Sequence, residues 1–205
     1  MGNKGIIIVF EGIDQSGKGT QSKLFADRLQ IMGYDVEYIH FHDTNTPLGK
    51  EIQLFLEGKR NYSPLVRQLL FAANRYERQE DIDTMVKEKD FIIIDRYIPS
   101  GLAYGMVNKI DLNWMLQMES MLYQPDIVVL IDASSKISKQ RKSEENRDVY
   151  EKDLVFLDKV REAYLNLAKI FDWIIINGEG SIDQIHNNIW DKTWEIINSK
   201  EIIED

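Results

Sequence analysis

The stretch GIIIVFEGIDQSGKGTQ, residues 5–21, narrows the possible folds more than any other part of the chain. An apolar, β-branched run leads directly into the spacing GxxxxGK, carried by Gly12, Gly17 and Lys18, and a segment of helical periodicity follows. Glycines let backbone N–H groups close on phosphate oxygens, the helix behind them presents its positive end, and the lysine reaches terminal phosphates. The candidate nucleotide contacts are therefore Gly12, Asp14, Gln15, Ser16, Gly17, Lys18, Gly19 and Thr20.

Four later runs have the character of GIIIVF: VEYIHF (36–41), FIIID (91–95), IVVLID (127–132) and WIIIN (173–177). Their length and β-branched content predict strands buried on both faces, as in a parallel sheet. Between them lie segments of helical spacing, with Leu24, Ala26, Leu29 and Ile31 on one expected apolar face and Leu69, Leu70, Ala73 and Tyr76 on another. This alternation predicts an α/β fold of three layers, α/β/α, around a five-stranded parallel sheet. The sequence predicts one domain over residues 1–205, with its site at the carboxyl ends of the strands.

A net charge of −9, from 34 acidic against 25 basic residues, argues against nucleic acid or an anionic membrane as partner. The absence of cysteine excludes disulfides and thiol catalysis and fits a cytoplasmic enzyme. The opening apolar run ends at the glycine-rich loop without a cleavage site. No stretch approaches the roughly 18 uninterrupted apolar residues of a membrane span.

Two further segments carry chemistry. The usual magnesium-ligating hydroxyl directly after the lysine is replaced by Gly19, leaving Thr20 one position later as a candidate ligand, a pattern that leans away from switch GTPases. In FIIIDRY (91–97), Asp95 at a strand end can hold the waters of Mg2+ or accept a proton, and the Arg96 fork can grip two phosphates at once. The charged tract 136–153 is either a solvated helix pair with a loop or a lid that carries arginines over bound phosphate.

IVFEGIDQSGKGTQ, LLFAANRYE and IIDRYIPSGLAY, in this order and at these separations, closely resemble thymidylate kinases over nearly the whole chain. The resemblance implies a P-loop kinase with a helical acceptor region and a short lid at about 136–153, using ATP as donor, dTMP as acceptor and Mg2+ as cofactor, and assembling as a homodimer. Residue by residue, it implies that Phe71 stacks on thymine, Arg75 bonds the base edge and Asp14 meets the sugar 3′-hydroxyl. Phe41, Ser100, Gly101 and Tyr104 then line the base and sugar, and Tyr150 closes over the acceptor. Lys18 holds the donor, Arg96 bridges both phosphates, Asp95 serves the metal or acceptor, and Arg141 and Arg147 come from the lid.

The chain departs from the family pattern at two positions. Gln15 stands where eukaryotic-type members have an arginine, so Arg141 and Arg147 suggest the bacterial arrangement, whereas Asp14 and FAANR suggest the other. In FHDTNTPLG (41–49), Thr44 occupies the place of an arginine that grips the acceptor phosphate. Arg67, Lys50 or Arg60 could substitute, or acceptor selectivity is relaxed. Other readings stay open at this point: another nucleoside monophosphate or deoxynucleoside kinase, a non-catalytic nucleotide-binding module, and a GTPase through NKID (108–111), although no strand precedes that motif.

Overall fold

The computed structural model describes residues 5–140, 149–150 and 153–201. Its centre is a parallel sheet of β1 (Ile6–Glu11), β2 (Val36–His40), β3 (Phe91–Asp95), β4 (Ile127–Asp132) and β5 (Ile174–Asn177), in the order β2-β3-β1-β4-β5. All five predicted runs form strands. β1 pairs with β3 through Ile6↔Phe91 to Phe10↔Asp95 and with β4 through Ile8↔Ile127 to Glu11↔Leu130. The register brings Glu11, His40, Asp95 and Asp132 to one edge of the sheet.

Successive strand side chains point to opposite faces, and isoleucine-rich strands supply apolar groups to both. Ile7, Val9, Ile92, Ile94 and Leu130 pack with α4 (Gln79–Glu88), α5 (Ile98–Val107) and α8 (Leu154–Ile170). Ile8, Phe10, Ile93, Val129 and Ile131 face α1 (Lys18–Ile31) and α9 (Ile182–Glu201). This gives the three expected layers.

Two helices begin at Ser/Thr-Pro pairs. Thr46 caps α2 (Pro47–Leu56) by accepting from the Gly49 N–H at 3.1 Å, and Ser63 caps α3 (Pro64–Glu77), with proline in each first turn. Hydroxyl caps satisfy otherwise unpaired amides, and proline there loses no helical bond. Asp111 caps α6 (Leu112–Met118) through the Trp114 N–H, which ties NKID to a helix start rather than to a strand end. The short α7 (Ser135–Gln140) follows β4.

The two expected helix faces differ from the ones formed. α1 buries Phe25, Ala26 and Leu29 but leaves Ile31 exposed at its last position. α3 buries Gln68, Ala72, Asn74 and Arg75, while Leu65, Val66 and Leu69 face outward. The inward face of α3 is polar because it borders a cleft rather than the core.

Candidate active site

The loop after β1 is shaped by positive φ angles at Gly12 (146°), Gln15 (62°) and Gly17 (101°). A Cβ on Gly12 would stand 2.5 Å from the Ile131 carbonyl oxygen of β4, so only glycine fits that approach. Gly17 starts α1 without a side-chain cap, which leaves the helix's first amides to an anion. Lys18 opens α1 at 8 % exposure, its Nζ 3.5 Å from the Ile13 carbonyl and 3.7 Å from Asp14. Burial and Arg96 push the lysine pKa down, against the opposing pull of Asp14, Asp95 and Glu11. Ser16 is buried in the loop and Thr20 is exposed on α1.

Gly19 has a steric explanation. A Cβ there would lie 2.9 Å from Oδ2 of Asp95, so the carboxylate at the end of β3 occupies the space of the missing side chain. Asp95 is buried, and its Oδ1 has no hydrogen-bond partner among the described residues. An unpaired carboxylate oxygen beside the phosphate loop fits magnesium, which takes one or two carboxylates and completes its shell with phosphate and water. Among the described residues no group of three potential metal-ligating side chains gathers.

Arg96 follows in a left-handed conformation, φ 65°, with its N–H donated to the Phe10 carbonyl at 3.0 Å. Such backbone strain in a non-glycine residue persists only where the surroundings enforce it. The surroundings are a buried network: Arg96 donates to Ser100 Oγ (3.1 Å), Tyr164 (3.3 Å) and Asp14. Glu11, fully buried at the end of β1, accepts from the Tyr97 N–H, the Ser100 N–H, Ser100 Oγ and the Tyr164 hydroxyl at 2.7–3.1 Å. Burial pushes the Glu11 carboxyl up, while Arg96 and these donors oppose the shift. Burial also acts to raise the Asp14 carboxyl, but Arg96, Lys18 and Tyr104 outweigh it and hold it well below the usual carboxylate range. Opposed charges thus meet at one point beside the phosphate loop.

A cleft of about 870 Å³, open mouth included, extends from this point. Asp14, Arg96, Ser100, Gly101 and Tyr104 form one wall, and Phe41, Phe71, Arg75 and Tyr150 are also lining residues. Tyr104 donates to Asp14 at 3.1 Å. The Tyr150 ring packs on Phe55, Tyr104 and Phe156 at 5.1–5.6 Å, and its hydroxyl accepts from Arg67 at 3.4 Å. Arg75 makes a bidentate pair with Glu119, both bonds 2.6 Å, which commits Nε and Nη2 and leaves Nη1 outside the pair. Gly101 makes room for it, since a Cβ there would sit 2.8 Å from Nη2.

Of the sequence-predicted residues, the structure brings Asp14, Lys18, Asp95, Arg96, Ser100, Gly101, Tyr104, Phe41, Phe71, Arg75 and Tyr150 to the cleft or the loop beside it. Arg141 and Arg147 lie outside the described residues, as does most of the predicted lid. Thr44 is exposed and does not line the cleft. Among its three suggested substitutes, Lys50 is exposed and Arg60 pairs with Glu51 on the surface, while Arg67 lines the cleft between Phe55 and Tyr150.

Sequence reasoning missed several residues. His40 and His42 flank Phe41 in the cleft, their rings 6.4 Å apart. Gln53 donates its Nε2 to Glu57, so its Oε1 accepts from His42 Nε2, and the neutral ring keeps Nδ1 unprotonated. Glu11 had a readable signal, a carboxylate ending an apolar strand. Glu119 and Tyr164 had none, because their partners lie 44 and 153 residues away.

Comparison with known proteins places the chain among relatives of one kind. The family model described as "Thymidylate kinase" matches residues 10–189. The thymidylate kinase of Plasmodium falciparum is 34 % identical over 188 residues, covering 91 % of this chain and 88 % of the relative. A probable thymidylate kinase of Pyrococcus horikoshii is 38 % identical over 196 residues, covering 91 % and 94 %. The solved thymidylate kinase of Candida albicans superposes with a TM-score of 0.81 at 29 % identity, covering 97 % of this chain and 93 % of the other.

Proposed function

We infer function from one premise: the chain belongs to the thymidylate kinase family, and so is a nucleoside monophosphate kinase. The reaction that follows is transfer of the terminal phosphoryl group of Mg-ATP to dTMP, giving dTDP and ADP. The observation that carries this reading is the juxtaposition of phosphate loop and acceptor cleft through one residue, Arg96, which touches Asp14 of the loop and Ser100 of the cleft wall.

Phosphoryl transfer needs two anions held in line and the charge that develops between them neutralised. The acceptor is already a phosphate dianion, so no strong base is required. Lys18 would hold the donor phosphates and Arg96 would bridge donor and acceptor. The Asp14 carboxylate, kept ionised by Arg96 and Lys18, would accept from the sugar 3′-hydroxyl. Phe71 would stack on the base while Arg75, oriented by Glu119, offers Nη1 to its edge. Magnesium, held by Asp95 directly or through water, would supply charge neutralisation between the donor phosphates. Lid arginines 141 and 147 belong to the same reading.

Thr44 bears on selectivity. With no arginine at that position, Arg67 is the lining arginine that would support acceptor-phosphate binding beside Arg96. Arg67 already donates to Tyr150 and Asn108, which makes it a weaker grip than a free bidentate arginine, so the reading includes relaxed selectivity among monophosphates. The Candida albicans thymidylate kinase is described by its broad substrate specificity, which supports the same tolerance in a related fold. A homodimer would have the outward apolar side of α3, Leu65, Val66 and Leu69, available to it. The test is a steady-state panel of dTMP, dUMP, dGMP and dAMP with Mg-ATP. Turnover of dTMP with measurable use of a second acceptor supports the reading, and a tight dTMP-only profile sinks the selectivity claim.

A further inference from the structure

Gln68 is 6 % exposed, lines the cleft, and carries a buried Nε2 without a hydrogen-bond partner among the described residues. A buried amide donor left unpaired is costly unless a ligand satisfies it. Gln68 stands one helical turn before Phe71 and two before Arg75 on the inward side of α3, so the three project to the same part of the cleft. The facing helix is cut away to admit the amide. A Cβ on Gly101 would stand 3.3 Å from Gln68 Nε2, and one on Gly105 would stand 2.9 Å from its Oε1. Two glycines four residues apart on α5 thus shape the amide's seat.

We propose that Gln68 is a specificity-determining residue that reads the imide edge of a pyrimidine-2,4-dione, donating Nε2–H to a ring carbonyl beside the contact made by Arg75. The proposal rests on the acceptor reading above and deepens it. Arg75 Nη1 and Gln68 Nε2 present donors to the base, which match the carbonyl-bearing edge of thymine or uracil and oppose the 4-amino group of cytosine. The amide is held ready in the free protein at the expense of stability, and the base completes it.

The test compares wild type with Gln68→Met, a near-isosteric apolar replacement, in kcat and KM for dTMP, dUMP and dCMP, and in the melting temperature of the free proteins. The expected result is a KM increase of roughly 3- to 10-fold for dTMP and dUMP, a much smaller change in kcat, and reduced discrimination between dUMP and dCMP. The free variant melts at or above the wild-type temperature, because an unpaired buried amide has been removed. A purely structural glutamine would give the reverse: lower melting temperature and unaltered KM ratios, which overturns the proposal. A wild type inert to all three acceptors overturns the acceptor reading and this proposal with it, whereas an active wild type whose variant keeps its KM values overturns this proposal alone.

Discussion

Replacing Gly19 by alanine puts a Cβ 2.9 Å from Oδ2 of Asp95, against an ordinary carbon contact of about 3.5 Å. One of the two groups must give by roughly half an ångström. Asp95 is held at the end of β3 by pairing on both sides, opposite Phe10 and His40. The displacement therefore falls on its carboxylate or on the first turn of α1, where Lys18 sits. Either shift moves a group of the phosphate site. If a misplacement of 1 Å costs about a hundredfold in rate, half of that costs about tenfold. Overpacking adds about 1 kcal/mol of destabilisation, a fall of about 2–4 °C in melting temperature for a chain of this size. The assay is kcat at saturating Mg-ATP and dTMP together with thermal melting. Gly19→Ser is the sharper variant, because it restores a hydroxyl directly after the lysine while keeping the clash. Full wild-type kcat in that variant would refute the claim that Asp95 fills this space and serves the metal.

Arg96→Ala removes the cation that joins Asp14 of the loop to Ser100 of the cleft wall, and kcat should fall by about three orders of magnitude with modest loss of ATP affinity; near-normal turnover would show that another cation carries the charge. Glu119→Ala strands the buried Arg75 guanidinium and should cost about 3 kcal/mol, read as a fall in urea midpoint or melting temperature. Burial, with smaller contributions from His40 and Arg96, depresses His42 from 6.5 to about 4. Between those values the unfolded chain binds the proton and the folded chain resists it. Stability is therefore intact above pH 6.5 and declines as the pH falls toward 4, by about 3 kcal/mol. His42→Gln should flatten that decline in denaturant titrations.

The sheet was legible because strands buried on both faces must be apolar throughout, and runs such as FIIID and IVVLID have few other uses. The phosphate loop was legible because its contacts are local: Gly12, Gly17 and Lys18 act within one strand-loop-helix unit. The inward face of α3 was not. Helical periodicity locates apolar stripes, and this helix turns Gln68, Asn74 and Arg75 inward while Leu65 and Leu69 face out. The network around Arg96 was equally hidden, since it joins Glu11, Ser100 and Tyr164 from β1, α5 and α8. Thr44 shows the limit of reading one position against a pattern. The loop turns Thr44 outward, and the nearby cleft groups are His40, His42 and Arg67, which come from β2, the following loop and α3.

Phosphoryl transfer between two nucleotides at one arginine-bridged site has a product signature of its own. The direct measurement is product analysis of purified protein with magnesium, ATP and dTMP. The expected products are dTDP and ADP in equal amounts, with formation dependent on both magnesium and dTMP. Release of inorganic phosphate from the nucleotide with dTMP left unchanged would contradict it.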